Sequence, residues 1–136
     1  MDIECAIIYC NSIKGVEELE RQMIENDFVV SSLHGNMDQA QRNVVMKQFR
    51  QGASRVLITT DLMCRGIDIQ QVQIVINFEL PRDKENYIHR IGRAGRWGRK
   101  GTAINFVTPR DSYRLKEVQE YYKTTVVEMP VDLDEL

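Results

Sequence analysis

The segment His89–Arg96 holds the residues with the clearest capacity for chemistry. Arg90, Arg93 and Arg96 recur at intervals of three, and two glycines lie among them. Each glycine weakens a helix by up to about 1 kcal/mol, which suggests that a site requires them. Guanidinium groups suit phosphate oxygens, and an arginine beside a transferring phosphoryl group stabilises the charge that develops there. The segment therefore predicts a phosphate site, with two alternatives open: a patch for nucleic-acid backbone and a solvated basic face.

A second candidate site follows a buried apolar run. Thr59–Asp61 comes first and Arg65–Asp68 follows shortly after. Hydroxyls, backbone N–H groups and a carboxylate in such a loop are suited to hold a phosphate or a sugar. The alternative is an ordinary turn, in which Asp61 caps a helix and Asp68 is solvated.

A third candidate is the segment His34–Met37, which leads into a predicted helix. Gly35 beside a helix N-terminus presents backbone donors to an anion, and Arg42 adds a positive charge one turn later. This pattern predicts a phosphate contact. The alternative is that Arg42 only pairs with a neighbouring acidic residue.

Short apolar runs alternate with segments of helical periodicity, and both must position these residues. The runs are predicted to be buried strands: Ala6–Tyr9, Phe28–Leu33, Arg55–Thr60, Gln73–Phe78 and Thr102–Val107. The helical faces are Val16, Leu19 and Met23; Val45, Met46 and Phe49; and Leu115, Val118 and Tyr122. Ser12 and the pair Asp38 and Gln41 are expected to cap helices, and Gly52 to end one.

This alternation predicts an α/β fold with a mostly parallel sheet and helices on both faces, which is a three-layer α/β/α sandwich. Ligands of such sheets lie beyond the carboxyl ends of the strands. The 136 residues, 43% of them hydrophobic, suit a single domain spanning residues 1–136. We find no repeat, low-complexity stretch or linker.

Composition excludes several classes of protein. The net charge of −2 argues against coating nucleic acid by bulk charge, although residues 82–101 form a local basic surface. No apolar run is long enough to predict a membrane span, and no secretory leader is recognisable. Cys5, Cys10 and Cys64 are expected to be ordinary buried thiols in a reducing compartment, and with His34 and His89 they match no zinc pattern, so no metal site is predicted.

Two parts of a complete nucleoside triphosphatase are missing from this sequence. It contains no G-x-x-x-x-G-K-[ST] phosphate loop and no Asp-Glu-Ala-Asp run to hold magnesium. We therefore expect this chain to supply half of such a site and to be inactive alone.

These segments, in order, resemble the motifs of the C-terminal, RecA-like lobe of DEAD-box RNA helicases. Ala6–Ser12 resembles the fourth motif, and Gln39 with Arg42 resembles the accessory motif beyond it. The two parts of the loop after the third strand resemble the fifth motif, and His89–Arg96 resembles the sixth. The resemblance covers essentially the whole chain.

The resemblance implies a nucleotide site shared with a second lobe. Arg93 and Arg96 would face the γ-phosphate of ATP, with Arg96 as the arginine finger, and Asp68 would bind the ribose. Mg²⁺ would be held mainly by the N-terminal lobe. His89 and Arg65 would couple the nucleotide and RNA sites.

The resemblance also implies an RNA site. Gly35, Arg42 and Thr60 would hold RNA phosphates without reading base sequence. Arg90 lies within the sixth motif, but the resemblance assigns no direct ligand to it. Asn36 stands where the family commonly has an aspartate, which weakens the assignment of this loop to RNA.

Further segments are similar to the helicases of cap-dependent translation initiation, and less so to their exon-junction relatives. They include Glu85–Ile88, Gly98–Gly101 and Tyr121–Pro130. This similarity implies a monomeric cytoplasmic helicase that unwinds short RNA duplexes, or a nuclear one for an RNA-processing relative. Its partners would be RNA, its own N-terminal lobe and a scaffold protein of the cap-binding complex, with no membrane.

Two alternative functions belong to other classes. A non-catalytic module that docks onto a scaffold protein would use the same lobe. A receiver or flavodoxin-like domain would need an acidic phosphoacceptor cluster or a flavin loop, and the sequence has neither.

Overall fold

Five parallel strands form one sheet in the part of the chain that the structure describes. A computed structural model describes residues 5–61, 72–82, 87, 90 and 102–122. The strands are β1 (Cys5–Tyr9), β2 (Val30–Leu33), β3 (Val56–Thr59), β4 (Val72–Asn77) and β5 (Thr102–Asn105). Their order across the sheet is β2-β3-β1-β4-β5, and every neighbouring pair is parallel. All five predicted strands are confirmed, with ends within two residues of those expected.

Among the described residues, the helices with defined ends are α1 (Ile13–Glu25), α2 (Gln39–Arg50) and α3 (Ser112–Tyr122), the last preceded by a 3-10 turn at Pro109–Asp111. The predicted N-terminal caps of α1 and α2 are confirmed. The Ser12 side chain accepts a hydrogen bond from the Gly15 N–H. Asp38 and Gln41 form a reciprocal capping box at the start of α2. Among the described residues, no helix combines the length and apolar character that crossing a membrane requires.

The two faces of the sheet carry separate hydrophobic clusters. Ile7 of β1 and Leu57 of β3 pack with Phe49 of α2. Their sequence neighbours Ile8 and Ile58 pack with α1 on the opposite face. Because successive strand residues point to opposite faces, α1 and α2 must cover different sides of the sheet. The predicted three-layer α/β arrangement is therefore confirmed.

A third cluster joins α3 to the loop after β4. Leu80, Tyr87 and Val118 are buried together, and Leu115 packs against them. Val118 and Leu115 belong to the helical face predicted for this segment. The cluster holds the part of the chain that carries Tyr87 against the body of the domain, next to the candidate site.

Gly52 supplies the first testable prediction, because it ends α2 with a positive φ of 79°. A Cβ added there would meet no atom within 4 Å, so the cost of substitution is conformational and not steric. We expect Gly52→Ala to lower the free energy of unfolding by about 1 kcal/mol, since residues with a Cβ rarely adopt this conformation. Urea unfolding measures the change. Gly52→Asn is the control, because Asn tolerates this region and is expected to cost less; equal losses for both variants would contradict the explanation.

Candidate functional site

The candidate residues lie where the parallel strands end. Asn11 lies just beyond β1, Thr60 and Asp61 directly follow β3, and Glu79 lies just beyond β4. Since the strands are parallel, their carboxyl ends meet at one edge of the sheet. Residues that are far apart in sequence are therefore brought together there.

Arg90 lies at the centre of this edge, with only 1% of its surface exposed. Its Nε and Nη2 donate to the two carboxylate oxygens of Asp61 at 2.5 and 2.8 Å. Nη1 donates to Asn77 Oδ1 at 3.1 Å and to the Glu79 carbonyl at 2.6 Å, and Nη2 donates to Asn11 Oδ1 at 2.7 Å. A guanidinium group has five N–H donors. All five are occupied, so the buried charge is both paired and fully hydrogen-bonded.

Neighbouring side chains hold these partners in place. The Asn11 N–H donates to the Glu79 carboxylate at 3.2 Å, and the Asn11 side-chain amide donates to the Leu80 carbonyl at 2.9 Å. The Arg90 guanidinium also lies 5.1 Å from the centroid of the Tyr9 ring, a cation–π distance. The segments after β1 and β4 are thereby tied to each other as well as to Arg90.

A chain of amides extends the network across the sheet. Asn77 donates to Asn105 Oδ1 at 2.7 Å, and Asn105 donates to the Tyr87 hydroxyl at 3.0 Å. Arg90 and Tyr87 are thus both bound to strand side chains. These bonds fix the positions of Tyr87 and Arg90 relative to the sheet.

This network settles one of the alternatives left open by the sequence. Arg90 is buried and its five donors bind protein groups, so a solvated basic face is wrong for it. Asp61 pairs with Arg90, and its interpretation as a helix cap stays a prediction because the residues that follow it lie outside the described part of the chain. Asn77 and Glu79 were not identified from the sequence, because an amide within an apolar run and an acid just after it carry no signal of a partner elsewhere in the chain.

Cys10 lies beside this network and is fully buried. Burial raises the pKa of its thiol to about 12; the Glu79 carboxylate adds to the increase and Arg90 opposes it. The thiol is therefore neutral at physiological pH. Cys5 and Cys10 are both buried and free, as expected, while Cys64 lies outside the described residues.

A second cluster forms at the ends of β2 and β3. Leu33 and Thr59 are paired in the sheet, so Gly35 and Thr60 follow neighbouring strands at the same edge. Arg42 reaches back from the first turn of α2 and donates to the Gly35 carbonyl at 3.2 Å. Three residues predicted to bind RNA are thus placed along one stretch of the edge.

Arg42 retains unused hydrogen-bonding capacity. Its Nε is buried and has no hydrogen-bond partner among the described residues. Among the described residues, Arg42 binds the Gly35 carbonyl and not an acidic side chain, so the alternative interpretation is not supported. A guanidinium group beside exposed backbone at a helix N-terminus is suited to an anion.

Five of the predicted site residues lie outside the described residues: Arg65, Asp68, His89, Arg93 and Arg96. Their assignments stay predictions.

The Arg90 network yields a prediction about stability. Arg90→Lys keeps the positive charge but leaves buried acceptors without donors, since an ammonium has three N–H donors and a guanidinium has five, so we expect it to lower the free energy of unfolding by about 3 kcal/mol. Denaturant unfolding measures the change. The matched control is Arg21→Lys in α1, whose pairs with Glu18 and Glu25 are exposed; its stability should stay nearly unchanged. Equal effects of the two substitutions would contradict the structural role of Arg90.

Comparison with known proteins identifies the family. The family model of the helicase conserved C-terminal domain matches residues 1–98. Eukaryotic initiation factor 4A of Caenorhabditis elegans and the ATP-dependent RNA helicase eIF4A of Yarrowia lipolytica are each 56% identical to this chain over 136 residues. The match covers 100% of this chain and 34% of each relative, so the chain spans about a third of their length.

Solved structures agree with this result. The C-terminal domain of the DEAD-box protein Dbp5 matches with a TM-score of 0.85 and 40% identity, covering 99% of this chain and 80% of that one. Saccharomyces cerevisiae Dbp5 bound to RNA and ADP BeF3 matches with a TM-score of 0.87 and 40% identity, covering 98% of this chain and 36% of that one. Sequence and fold together show that this chain belongs to the DEAD-box helicases, as a C-terminal RecA-like domain.

Proposed function

We propose that this chain is the C-terminal lobe of an ATP-dependent RNA helicase that unwinds short duplexes in translation initiation. The observation that carries the proposal is the Arg90 network, because it ties together the three segments that resemble the fourth, fifth and sixth helicase motifs. Through Asp61, the network connects the segment before Arg93 and Arg96 to Thr60 at the RNA edge. One rigid unit then carries both functions of the lobe.

In this proposal, ATP and Mg²⁺ bind mainly to the N-terminal lobe, and this chain completes the site. Arg93 and Arg96 would face the γ-phosphate, where Arg96 stabilises the charge of the transition state, and Asp68 would bind the ribose. The Mg²⁺ would neutralise phosphate charge during transfer. His89 and Arg65 would couple this site to RNA.

RNA would lie along the cluster formed by Gly35, Arg42 and Thr60. Arg42 supports this placement, since its side chain is held beside the exposed Gly35 backbone. Contacts to phosphates fix position without reading bases. Closure of the two lobes on ATP and RNA would grip and bend one strand, and hydrolysis would reopen the cleft.

An exposed aromatic pair supports contact with the N-terminal lobe. Phe78 and Phe106 follow β4 and β5 and are 40% and 50% exposed, with their ring centroids 5.8 Å apart in an edge-to-face arrangement. They lie at the edge of the sheet that carries the Arg90 network. Apolar surface at this position is suited to packing against the second lobe.

The similarity to initiation factor 4A supports further parts of the proposal. A scaffold protein of the cap-binding complex would be the partner, and the protein would act in the cytoplasm. Docking onto the scaffold would then accompany catalysis and not replace it.

Arg96→Ala tests the arginine finger in the protein that carries both lobes. We expect RNA-stimulated ATP hydrolysis to fall by about 10³-fold, because the developing charge on the phosphoryl group is no longer stabilised. RNA affinity should be retained. Steady-state hydrolysis with saturating RNA measures the effect, and Arg110→Ala, which alters an exposed arginine, is the control. Normal turnover in the Arg96 variant would rule out this role.

Arg42→Gln tests the RNA site separately. Losing one phosphate contact should weaken RNA binding by about tenfold and reduce the slope of log K against log salt by about one, equally for all sequences. Fluorescence anisotropy over a range of salt concentrations measures both quantities. The matched control is Arg50→Gln in the last turn of the same helix. The same loss in both variants would show that Arg42 contributes only general charge.

A further inference from the structure

A polar hollow of about 450 Å³ lies along the open edge of the sheet, beside β2. Glu20 of α1 lines one side, and Gln41 and Gln48 of α2 line the other. Among the strands that the structure describes, β2 is the outermost and pairs only with β3. The volume falls within the range of ordinary small-ligand sites.

This hollow is lined by sequence neighbours of the proposed RNA-binding residues. His34 and Asn36 line it, and between them lies Gly35, whose carbonyl accepts the hydrogen bond from Arg42. Gln41, which also lines it, immediately precedes Arg42 in α2. A nucleotide whose phosphate rests on Gly35 and Arg42 would therefore have the hollow within reach of its base.

Two lining side chains are held in position by backbone N–H groups. The Asp38 N–H donates to Gln41 Oε1 at 2.9 Å, which leaves the amide nitrogen of Gln41 as the free end. The Asn36 N–H donates to His34 Nδ1 at 3.3 Å, which places the ring proton of neutral His34 on Nε2. Each of these two lining side chains thus retains a hydrogen-bond donor that is not engaged in the bond described.

Apolar surface accompanies these donors. Met37 and Val45 line the hollow and also line a neighbouring apolar hollow of about 380 Å³. A flat heterocycle needs both features, apolar contacts for its faces and polar groups for its edge. Met37 and Val45 supply apolar contacts for the faces. Gln41 and His34 supply polar groups for the edge.

We propose that this hollow binds one unpaired base of the RNA strand held at Gly35 and Arg42. The inference rests on the proposed function and adds a contact with a base to contacts with the backbone. Because His34 and Gln41 offer donors, a base whose edge presents acceptors is favoured: guanine offers N7 and O6, and uracil offers O4. Adenine and cytosine carry an amino donor in the corresponding place and bind less well.

An abasic scan of the RNA tests the proposal on the protein with both lobes. A single abasic nucleotide is moved along a short oligouridine, and the Kd is measured by fluorescence anisotropy with a non-hydrolysable ATP analogue. We expect one position to lose about tenfold in affinity, as loss of a bound base does elsewhere, and the other positions to change little. At the sensitive position, guanine and uracil should bind about fivefold more tightly than adenine and cytosine.

The Gln48→Trp variant, in which the indole fills the hollow, should lose the positional effect. Its Kd for abasic RNA should equal that of the unaltered protein. Asn43→Trp is the matched control, because Asn43 is exposed on α2 and does not line the hollow. It should preserve the positional effect.

A flat abasic profile of the unaltered protein would overturn the proposal, and this result does not depend on any variant folding correctly. If Arg42→Gln still weakened RNA binding in that case, the proposed backbone site would stand while the base site failed. Absence of RNA binding by the unaltered protein would overturn both.

Discussion

The structure depends on the burial of one positive charge. Moving an isolated guanidinium group out of water costs far more than a domain can tolerate, so Arg90 must be paired and fully hydrogen-bonded. Its partners come from the segments after β1 and β3, from β4 itself and from the segment after β4. Each segment has to place its acceptor within hydrogen-bonding distance of the Arg90 guanidinium for all five donors to be satisfied together. The network therefore selects one arrangement of the loops at this edge.

This requirement explains how two sites can share one edge of the sheet. Thr59 belongs to β3 and its hydroxyl donates to the Leu33 carbonyl of β2 at 2.8 Å, whereas Asp61, two residues later, binds Arg90. Thr60 lies between these two anchors. A displacement of Arg90 would be transmitted to Thr60 through a single residue, so the loop is a short physical link between the proposed nucleotide and RNA sites.

The RNA edge is built differently, from a helix terminus and not from a buried charge. The capping box of α2 uses both the backbone and the side chains of Asp38 and Gln41. It fixes the start of the helix one turn before Arg42. It also engages the amide oxygen of Gln41, which leaves the amide nitrogen outside this bond. A local motif recognisable in the sequence thus organises both the proposed phosphate contact and the neighbouring hollow.

The elements whose causes are local can be predicted from the sequence. Apolar runs identified all five strands, and side chains that bond within three residues, at Ser12 and at Asp38, identified the starts of two helices. Gly52 identified the end of α2, because only a few residues adopt a positive φ without cost. The placement of Gly35, Arg42 and Thr60 along one edge also followed, since parallel strands end together.

Tertiary structure alone decided which polar residues meet. In the sequence, nothing distinguishes Arg90 from Arg93 and Arg96, which follow it at intervals of three. It is nevertheless a buried structural group, because partners 11 to 79 residues away in the chain satisfy its donors. Asp61, Asn77 and Glu79 acquired their roles in the same way. A hydrogen bond between residues so far apart depends on strand order and register, and no periodicity or local motif in the sequence records it.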